Sequence, residues 1–328
     1  MWIAAQALYE IITMSEHIDR SIRSLISHFQ RTGLLALLDD PNVIEIMLNS
    51  DGWLWVEAFG KPMYKQCKIT PDDANIIIRS IAHYHGELID KECPVLECEL
   101  PTDGSRFEGI VPPLTAQTSF TIRKKATKLF TLDDYLEVGT VTPSQLDAIR
   151  GAIANRENML IVGGTGSGKT TLTNGIIDAM VKHNEDDRII IIEDTNEIQC
   201  AAENSVIMRT SEKAGIGMKQ LLRVTLRYRP DRILVGEVRG GEALDLLKAW
   251  NTGHPGGVAT IHANSAALGL ERLEQCIEEV STNVNRNVIA STIHWIVFIK
   301  KTKDGRKIKE LARVVGTDGQ EYQLEYID

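Results

Sequence analysis

Eight consecutive residues, Gly163-Gly164-Thr165-Gly166-Ser167-Gly168-Lys169-Thr170, fit the spacing G-x-x-x-x-G-K-[ST] without a gap. Four glycines let the backbone curl until successive N–H groups point inward at phosphate oxygens, and a helix N-terminus adds favourable potential for an anion. In such a loop Lys169 reaches the β and γ phosphates of a nucleotide, and the Thr170 hydroxyl ligates magnesium. Hydrolysis needs two further groups, an acid on the metal side and one that orients water. Two apolar runs end in carboxylates: Ile189-Ile190-Ile191-Ile192-Glu193-Asp194 and Arg232-Ile233-Leu234-Val235-Gly236-Glu237. Glycine holds position 236, where such a strand usually carries aspartate, so Glu237 has to serve in its place. The competing reading is that these acids cap helices or pair with Arg229, Arg232 or Arg239.

Those groups meet only if strands and helices alternate around them, and from Pro143 onward they do. A helix over Pro143–Asn155 leads to a strand at Asn158–Val162, the glycine loop, a helix at Lys169–Val181 and a strand at Arg188–Glu193. Strands at Arg232–Gly236 and Val258–Ile261 follow, separated by helical segments. This order belongs to a parallel sheet wrapped by helices, whose carboxyl edge faces the ligand crevice. The tail, Ser291–Tyr326, reads as antiparallel strands turning at Lys303-Asp304-Gly305 and Thr317-Asp318-Gly319.

The first 130 residues follow another pattern. Ile18, Ile22, Leu25, Ile26, Phe29 and Leu34 recur at helical spacing from Ser15 to about Leu38, with Ser15 as cap and Gly33 weakening the end. Val43–Leu48, Trp53–Ala58 and Met63–Lys68 read as a strand meander, Pro71–His85 as a helix, and Gly104–Val111 and Ser119–Arg123 as two more strands. The stretch Phe130–Thr142 reads as irregular and marks the boundary.

With 43% hydrophobic and 25% charged residues, 328 residues suffice for two ordinary globular domains. A net charge of −9 argues against nonspecific coating of nucleic acid or anionic lipid, and no sequence-specific nucleic-acid binding is expected. Five scattered cysteines suit a reducing compartment. Cys93 and Cys98 lack the second pair or histidines of a structural zinc site. No run of about 18 apolar residues crosses a bilayer, and Met1–Met14 lacks a signal peptide's basic start and cleavage site. Met14, leading into the first helix, is a candidate true start.

Four blocks together resemble the secretion and traffic ATPases, the motors of type II secretion, type IV pili, and type IV secretion and conjugation. They are Gly163–Thr171; Ile192 to Glu197; Arg227 to Arg239; and Thr252-Gly253-His254-Pro255-Gly256-Gly257 through Thr260-Ile261-His262-Ala263-Asn264. They resemble that family's Walker A, Asp, Walker B and His boxes in order, and V-G-E-x-R, with glycine at 236, is the family's own Walker B form. Length and the Gly-His-Pro-Gly-Gly His box look most like the conjugal-transfer type; the pilus retraction type ranks second.

The resemblance implies an α/β fold, with a RecA-like P-loop ATPase domain at 133–328. A smaller N-terminal α+β domain at 1–132 would cover the nucleotide and form subunit contacts. It implies ATP and Mg²⁺ as ligands, bound by Gly163, Gly164, Thr165, Gly166, Ser167, Gly168, Lys169, Thr170 and Thr171, with Thr170 and Glu237 on the metal. Glu193 matches the acid that polarises water, and His254 and His262 match His-box residues that sense phosphate. Arg106 and Arg123 match N-terminal arginines that reach nucleotide at a subunit junction, against the alternative of solvated strand arginines. The implied assembly is a cytoplasmic homohexamer, peripheral to the inner membrane and partnered by inner-membrane components of a secretion or conjugation complex. A nucleotide-dependent scaffold with incidental turnover is the competing function. Arg223 and Arg227 fall one turn apart on an expected helix, and Lys300, Lys301, Lys303, Arg306, Lys307 and Lys309 read as a charged hairpin.

Overall fold

The computed structural model describes residues 20–125, 129–211 and 214–328, so Ser15 and Met14 lie outside the described residues. The chain forms two compact units, Met1–Lys128 and Leu129–Asp328.

In the first unit, helix α1 (described over 20–32) and α2 (Leu34–Asp39) are separate, because Gly33 takes a left-handed φ of 78° and ends the first helix there. Strands β1 (Val43–Leu48), β2 (Trp53–Ala58) and β3 (Tyr64–Lys68) follow. Helix α3 (Pro71–Tyr84) starts at Thr70, whose side chain accepts the Asp73 N–H, with proline in the first turn. Strands β4 (Val95–Glu99), β5 (Arg106–Ile110) and β6 (Ser119–Arg123) complete an antiparallel sheet of order β3-β2-β1-β6-β5-β4. Strand β4 escapes the pattern search because Val-Leu-Glu-Cys-Glu sits at the sheet edge and buries only Leu96 fully. The core lies between one sheet face and α3, where Ile46, Leu54, Val56, Phe107 and Phe120 meet Ile77, Ile78 and Ile81.

The second unit begins with α4 (Leu132–Glu137), in a stretch expected to be irregular. At six residues it is too short to show a period, but Thr131 and Asp134 close a reciprocal capping box that fixes it. Then come α5 (Pro143–Ala154), β7 (Met159–Val162), α6 (Lys169–His183), β8 (Ile189–Glu193) and β9 (Ser205–Arg209). Next are α7 (Met218–Thr225), β10 (Arg232–Val238), α8 (Glu242–Asn251), β11 (Val258–Ile261), α9 (Ala266–Glu278) and α10 (Arg286–Thr292). Strands β12 (Trp295–Thr302), β13 (Gly305–Thr317) and β14 (Tyr322–Ile327) end the chain.

The eight-stranded sheet has the order β14-β13-β12-β7-β11-β10-β8-β9. From β12 to β9 every neighbouring pair is parallel. The tail is therefore not wholly antiparallel: β12 extends the parallel sheet, and only β13 and β14 run against their neighbours. Helices cover both faces, which is why β7, β8 and β11 are buried at every position. Arg223 lies in α7, whereas Arg227 falls beyond its end at Thr225, so the two do not share a helix face.

Candidate active site

Strand β7 delivers the chain into the glycine loop at the carboxyl edge of the parallel sheet, and α6 begins at Lys169 directly after it. Gly166 and Gly168 hold φ at 67° and 99°, left-handed values that let the loop turn back over the helix N-terminus. A side chain at Gly168 would also strike Arg306, whose Cδ would stand 2.7 Å from the new Cβ. Arg306 reaches across from β13 and donates to the Gly166 carbonyl at 3.4 Å. One member of the expected charged hairpin is thus folded onto the phosphate loop.

Lys169 is buried, its ammonium donating to the carbonyls of Gly163 (2.9 Å) and Gly164 (3.1 Å). The same Nζ lies 3.3 Å from His262 Nδ1, just past the end of β11. His262 Nε2 stands 2.6 Å from Glu237 Oε1. The approach is out of line for a hydrogen bond, and that buried carboxylate oxygen has no hydrogen-bond partner among the described residues. Burial and the neighbouring Lys169 charge press the His262 pKa below the ordinary histidine value, against the opposing pull of Glu237.

Glu237 owes its position to a local fault in the sheet. Val235 pairs with Ala259 and Val238 with Ile261, so β10 uses three residues where β11 uses two. The extra residue breaks the ladder at Gly236-Glu237 and re-aims the side chain, as bulges do beside active sites. Thr260 fixes the displaced backbone by donating from its hydroxyl to the Gly236 carbonyl at 2.6 Å. Glycine suits the position because a Cβ would lie 3.1 Å from the Glu193 Cβ on the adjacent strand, closer than ordinary contact. An aspartate at 236 would crowd the second acid of the site.

Glu193 ends β8 and is almost fully buried. Burial raises its pKa, opposed by N–H groups of Ile198 (2.9 Å) and Glu197 (3.0 Å) and by Arg209, whose Nε is 3.4 Å from Oε1. Arg209 lies opposite Glu193 in the register of edge strand β9. Neither β9 nor Arg209 is visible in the periodicity of Ser-Val-Ile-Met-Arg. Arg239 clamps Glu237 Oε2 through Nε (2.8 Å) and Nη2 (2.6 Å) and extends Nη1 to Asp194 (3.3 Å). Thr170 donates to Glu197 Oε2 at 3.2 Å, which brings a third acid to the loop. Glu197 was legible only as part of the block following β8.

His254 is not brought to this cluster. It sits after α8 and before β11, at the amino edge of the sheet, where Nδ1 lies 3.2 Å from the Ala249 carbonyl. Its neighbours Gly256 and Gly257 donate backbone N–H groups to Asn158, the residue before β7. A four-residue strand separates it from His262, so only the second histidine reaches the loop. In the first unit, Arg106 and Arg123 are register partners on β5 and β6, hence on one sheet face; Arg106 pairs with Glu97 at 2.8 Å and Arg123 with Glu45 at 4.0 Å.

The residues present suit a magnesium ion. Among the described residues no cluster of three or more His, Cys, Asp or Glu forms a cage. Magnesium asks for less: one or two carboxylates, a hydroxyl, water and substrate phosphates. The orphaned Glu237 Oε1 and the Thr170 hydroxyl supply that set, and Ser167 Oγ is a second buried oxygen without a partner, facing the loop's interior.

The family model for type II/IV secretion system proteins matches residues 36–313. The chain belongs to that family. It is 48% identical over 293 residues to the conjugal transfer protein TrbB of Rhizobium radiobacter, covering 89% of this chain and 90% of the relative. It is 30% identical to the type IV secretion system protein VirB11 of Bartonella henselae, covering 84% and 89%. Among solved structures, the pilus retraction motor PilT with bound ADP aligns over 92% of this chain and 83% of its own, at 21% identity and a TM-score of 0.62. The fold is the RecA-like α/β fold of these secretion proteins, as the motif resemblance implied. Similarity to TrbB and VirB11 supports a type IV secretion or conjugation ATPase.

Proposed function

We propose that the protein is a magnesium-dependent ATPase energising a conjugal-transfer or type IV secretion apparatus, working as a homohexameric ring held peripherally at the cytoplasmic face of the inner membrane. The observation that carries the catalytic reading is the convergence of Lys169, His262 and Glu237, from three separate elements, on one phosphate loop. The ring, its inner-membrane partners and its place in pilus assembly or substrate transfer are drawn from the kinship with TrbB and VirB11. No helix among the described residues is long and apolar enough to cross a membrane, in keeping with peripheral attachment.

Binding ATP exchanges the Lys169 contacts with the Gly163 and Gly164 carbonyls for contacts with phosphate oxygens, a favourable swap for an already buried ammonium. Glu193, held by two N–H donors and Arg209, orients the attacking water and takes its proton. Thr170 and Glu237 would hold Mg²⁺, which when bound would supply positive charge to offset that of the phosphates. His262, in contact with Lys169 and Glu237, reports the state of the γ-phosphate to the end of β11. Arg106 and Arg123 join the site as phosphate-contacting arginines, supported by their shared sheet face and a guanidinium's bidentate fit to phosphate.

ATP turnover and nucleotide binding measured on wild type, Lys169→Ala and Glu237→Gln test this reading. The first variant should lose binding and turnover; the second should bind ATP and retain it; excess chelator should stop the wild type. Normal hydrolysis by folded Lys169→Ala would overturn the assignment.

A further inference from the structure

Among the basic residues around the β12–β13 turn, Lys300, Lys301, Lys303 and Lys309 are exposed, whereas Arg306 is half-buried. Arg306 lies two residues before Ile308 and so shares its face of β13, where Ile308 packs with Leu172 and Ile176 of α6 and Tyr135 of α4. The base of the hairpin is fixed there: Lys307 donates to the Gly139 carbonyl, and the Ile308 N–H to the Thr140 carbonyl at 2.9 Å. Burial raises the pKa of the Tyr135 hydroxyl, and the Arg306 charge opposes that rise. The stem of Arg306 covers the phosphate loop from outside. A Cβ added at Gly168 would stand 2.7 Å from its Cδ and 3.7 Å from Ile299 Cδ1 on β12.

The guanidinium donates to the Gly166 carbonyl at 3.4 Å. In a trans peptide that carbonyl and the next N–H point in opposite directions. The next N–H, of Ser167, meets the Gly164 carbonyl at 3.3 Å, and the same carbonyl accepts from Lys169 at 3.1 Å. The Ser167 N–H therefore faces the interior of the loop, on the side of the lysine that meets phosphate. Arg306 holds the outer end of a peptide whose inner end is an anion donor. Glycine at 166, with a φ of 67°, offers little steric resistance to turning that peptide over. A turned peptide would aim a carbonyl oxygen at phosphate and take the N–H away.

We infer that Arg306 is a positioning residue for ATP binding, holding the peptide between Gly166 and Ser167 with its N–H toward the phosphates. The inference rests on the reading of this loop as the ATP site and adds to it a residue from the far side of the sheet's crossover. Arg306 acts through the loop, not on the reacting atoms. A loop held ready serves ground state and transition state alike, so its loss raises KM and leaves kcat nearly unchanged. If the competent loop falls to about a tenth of the population, apparent affinity falls about tenfold. One charge-assisted hydrogen bond to a carbonyl is enough to set that balance.

The competing role is a mere cover over Gly168. That needs only an apolar stem, which methionine supplies, whereas lysine keeps the charged donor. Steady-state ATP hydrolysis and calorimetric ADP binding on the full chain, with magnesium, separate the two. Arg306→Met should raise the KM for ATP and the Kd for ADP by about tenfold each, with kcat within about threefold and the melting temperature of the nucleotide-free protein unchanged. Arg306→Lys should recover most of the loss, and Lys303→Met, at the exposed turn, should match the wild type. Wild-type constants in Arg306→Met would reduce Arg306 to a cover and overturn the inference while the ATP site stands. A fall in kcat of about tenfold with KM unmoved would overturn it too, by placing Arg306 in the chemical step. So would an equal shift in Lys303→Met, which would assign the effect to the charge of the hairpin at large. If the wild type neither binds ADP nor hydrolyses ATP, the reading of the loop falls and this inference with it.

Discussion

At the amino ends of the parallel strands, Arg232 donates to Asp187 (2.7 Å) and to the carbonyls of Gly256 (3.1 Å) and Ile153 (3.3 Å), while Arg156 takes the other Asp187 oxygen. At the carboxyl ends, Arg239 holds Glu237 and Asp194, and Arg209 approaches Glu193. Both clusters pair arginine with a carboxylate, yet Arg232 is 1% exposed whereas Arg239 and Arg209 have side chains 57% and 41% exposed. The amino-edge guanidinium is locked on all sides by backbone carbonyls and a buried acid. The carboxyl-edge guanidiniums reach their acids from solvent, so they can withdraw into water, leaving Glu193 held by the N–H groups of Glu197 and Ile198. The same pairing is thus closed and fixed at one end of the sheet and open to solvent at the other, beside the phosphate loop, and the difference lies in burial.

Substitutions divide along the same line. The largest effect should come from Lys169→Ala, with ATP turnover reduced by about 10³-fold or more because the cation facing the transferred phosphate is gone. Denaturant unfolding should change by at most about 1–3 kcal/mol, the cost of leaving the buried Gly163 carbonyl without its donor. Glu193→Gln should cost about 10²-fold in turnover, the usual scale of a positioned base, with nucleotide binding kept.

Arg232→Met inverts that pattern. It leaves Asp187 buried without its main partner and should destabilise the protein by about 3–5 kcal/mol, read from denaturant unfolding, with turnover per folded molecule preserved. Its pH dependence follows from Asp187. Burial alone would raise that pKa, but hydrogen bonds from Arg232 and Arg156 overcome it and hold the carboxyl below the ordinary range. A depressed carboxylate pKa stabilises above the unfolded value, and that stability is lost as pH falls through the folded value. The deficit of Arg232→Met should accordingly be full at neutral pH and shrink in acid, where Asp187 is protonated; a constant deficit would assign the loss to packing.

How much of this was legible beforehand depends on how chemistry is written along the chain. The glycine loop, Glu193, Glu237 and His262 could be found because each sits on a strand end or a contiguous motif, and motif order fixes which strand ends are neighbours. The parallel sheet followed from β7, β8 and β11, short and largely apolar runs that alternate with helical segments. Arg209 and Arg239 could not be assigned, because an arginine's role depends on which acid lies across the sheet, and register is a tertiary fact. Strand β9 went unseen for the same reason as β4: edge strands bury few residues and so show little pattern. The bulge at Gly236 was visible as an anomaly, a missing aspartate, but its cause, the nearness of Glu193, is set by two strands far apart in sequence.

A smaller effect should separate the two carboxyl-edge arginines from the acids they serve. Glu193 is raised by burial and pulled back by Ile198, Glu197 and Arg209. Turnover that needs its carboxylate should fall as pH drops through that raised pKa. Arg209→Gln removes one of the opposing groups, so the acid limb of the kcat profile should move to higher pH while turnover at the plateau changes only a few-fold. An unmoved limb with a lowered plateau would show that Arg209 acts on substrate rather than through Glu193.

The smallest effect belongs to His254, the site residue expected from the motif and placed at the other edge. Its ring contacts the Ala249 carbonyl at the end of α8, and the glycines after it are tied to Asn158, among groups that hold the amino edge together. No element carries it toward Lys169, because β11 must run its full length before the chain reaches His262. His254→Ala removes one exchangeable hydrogen bond at a half-buried position, a change of about 1 kcal/mol or less in stability. If the edges divide function as burial indicates, turnover by His254→Ala should stay within about threefold of wild type, whereas His262→Ala, which touches Lys169 and Glu237, should fall by at least the tenfold typical of lost active-site contacts. Steady-state kinetics on the two variants, at matched oligomeric state, decides it. A loss at His254 as large as at His262 would mean that the amino edge of one copy works on the phosphate loop of another, and the division between cohesion and turnover would hold within one copy but not between copies.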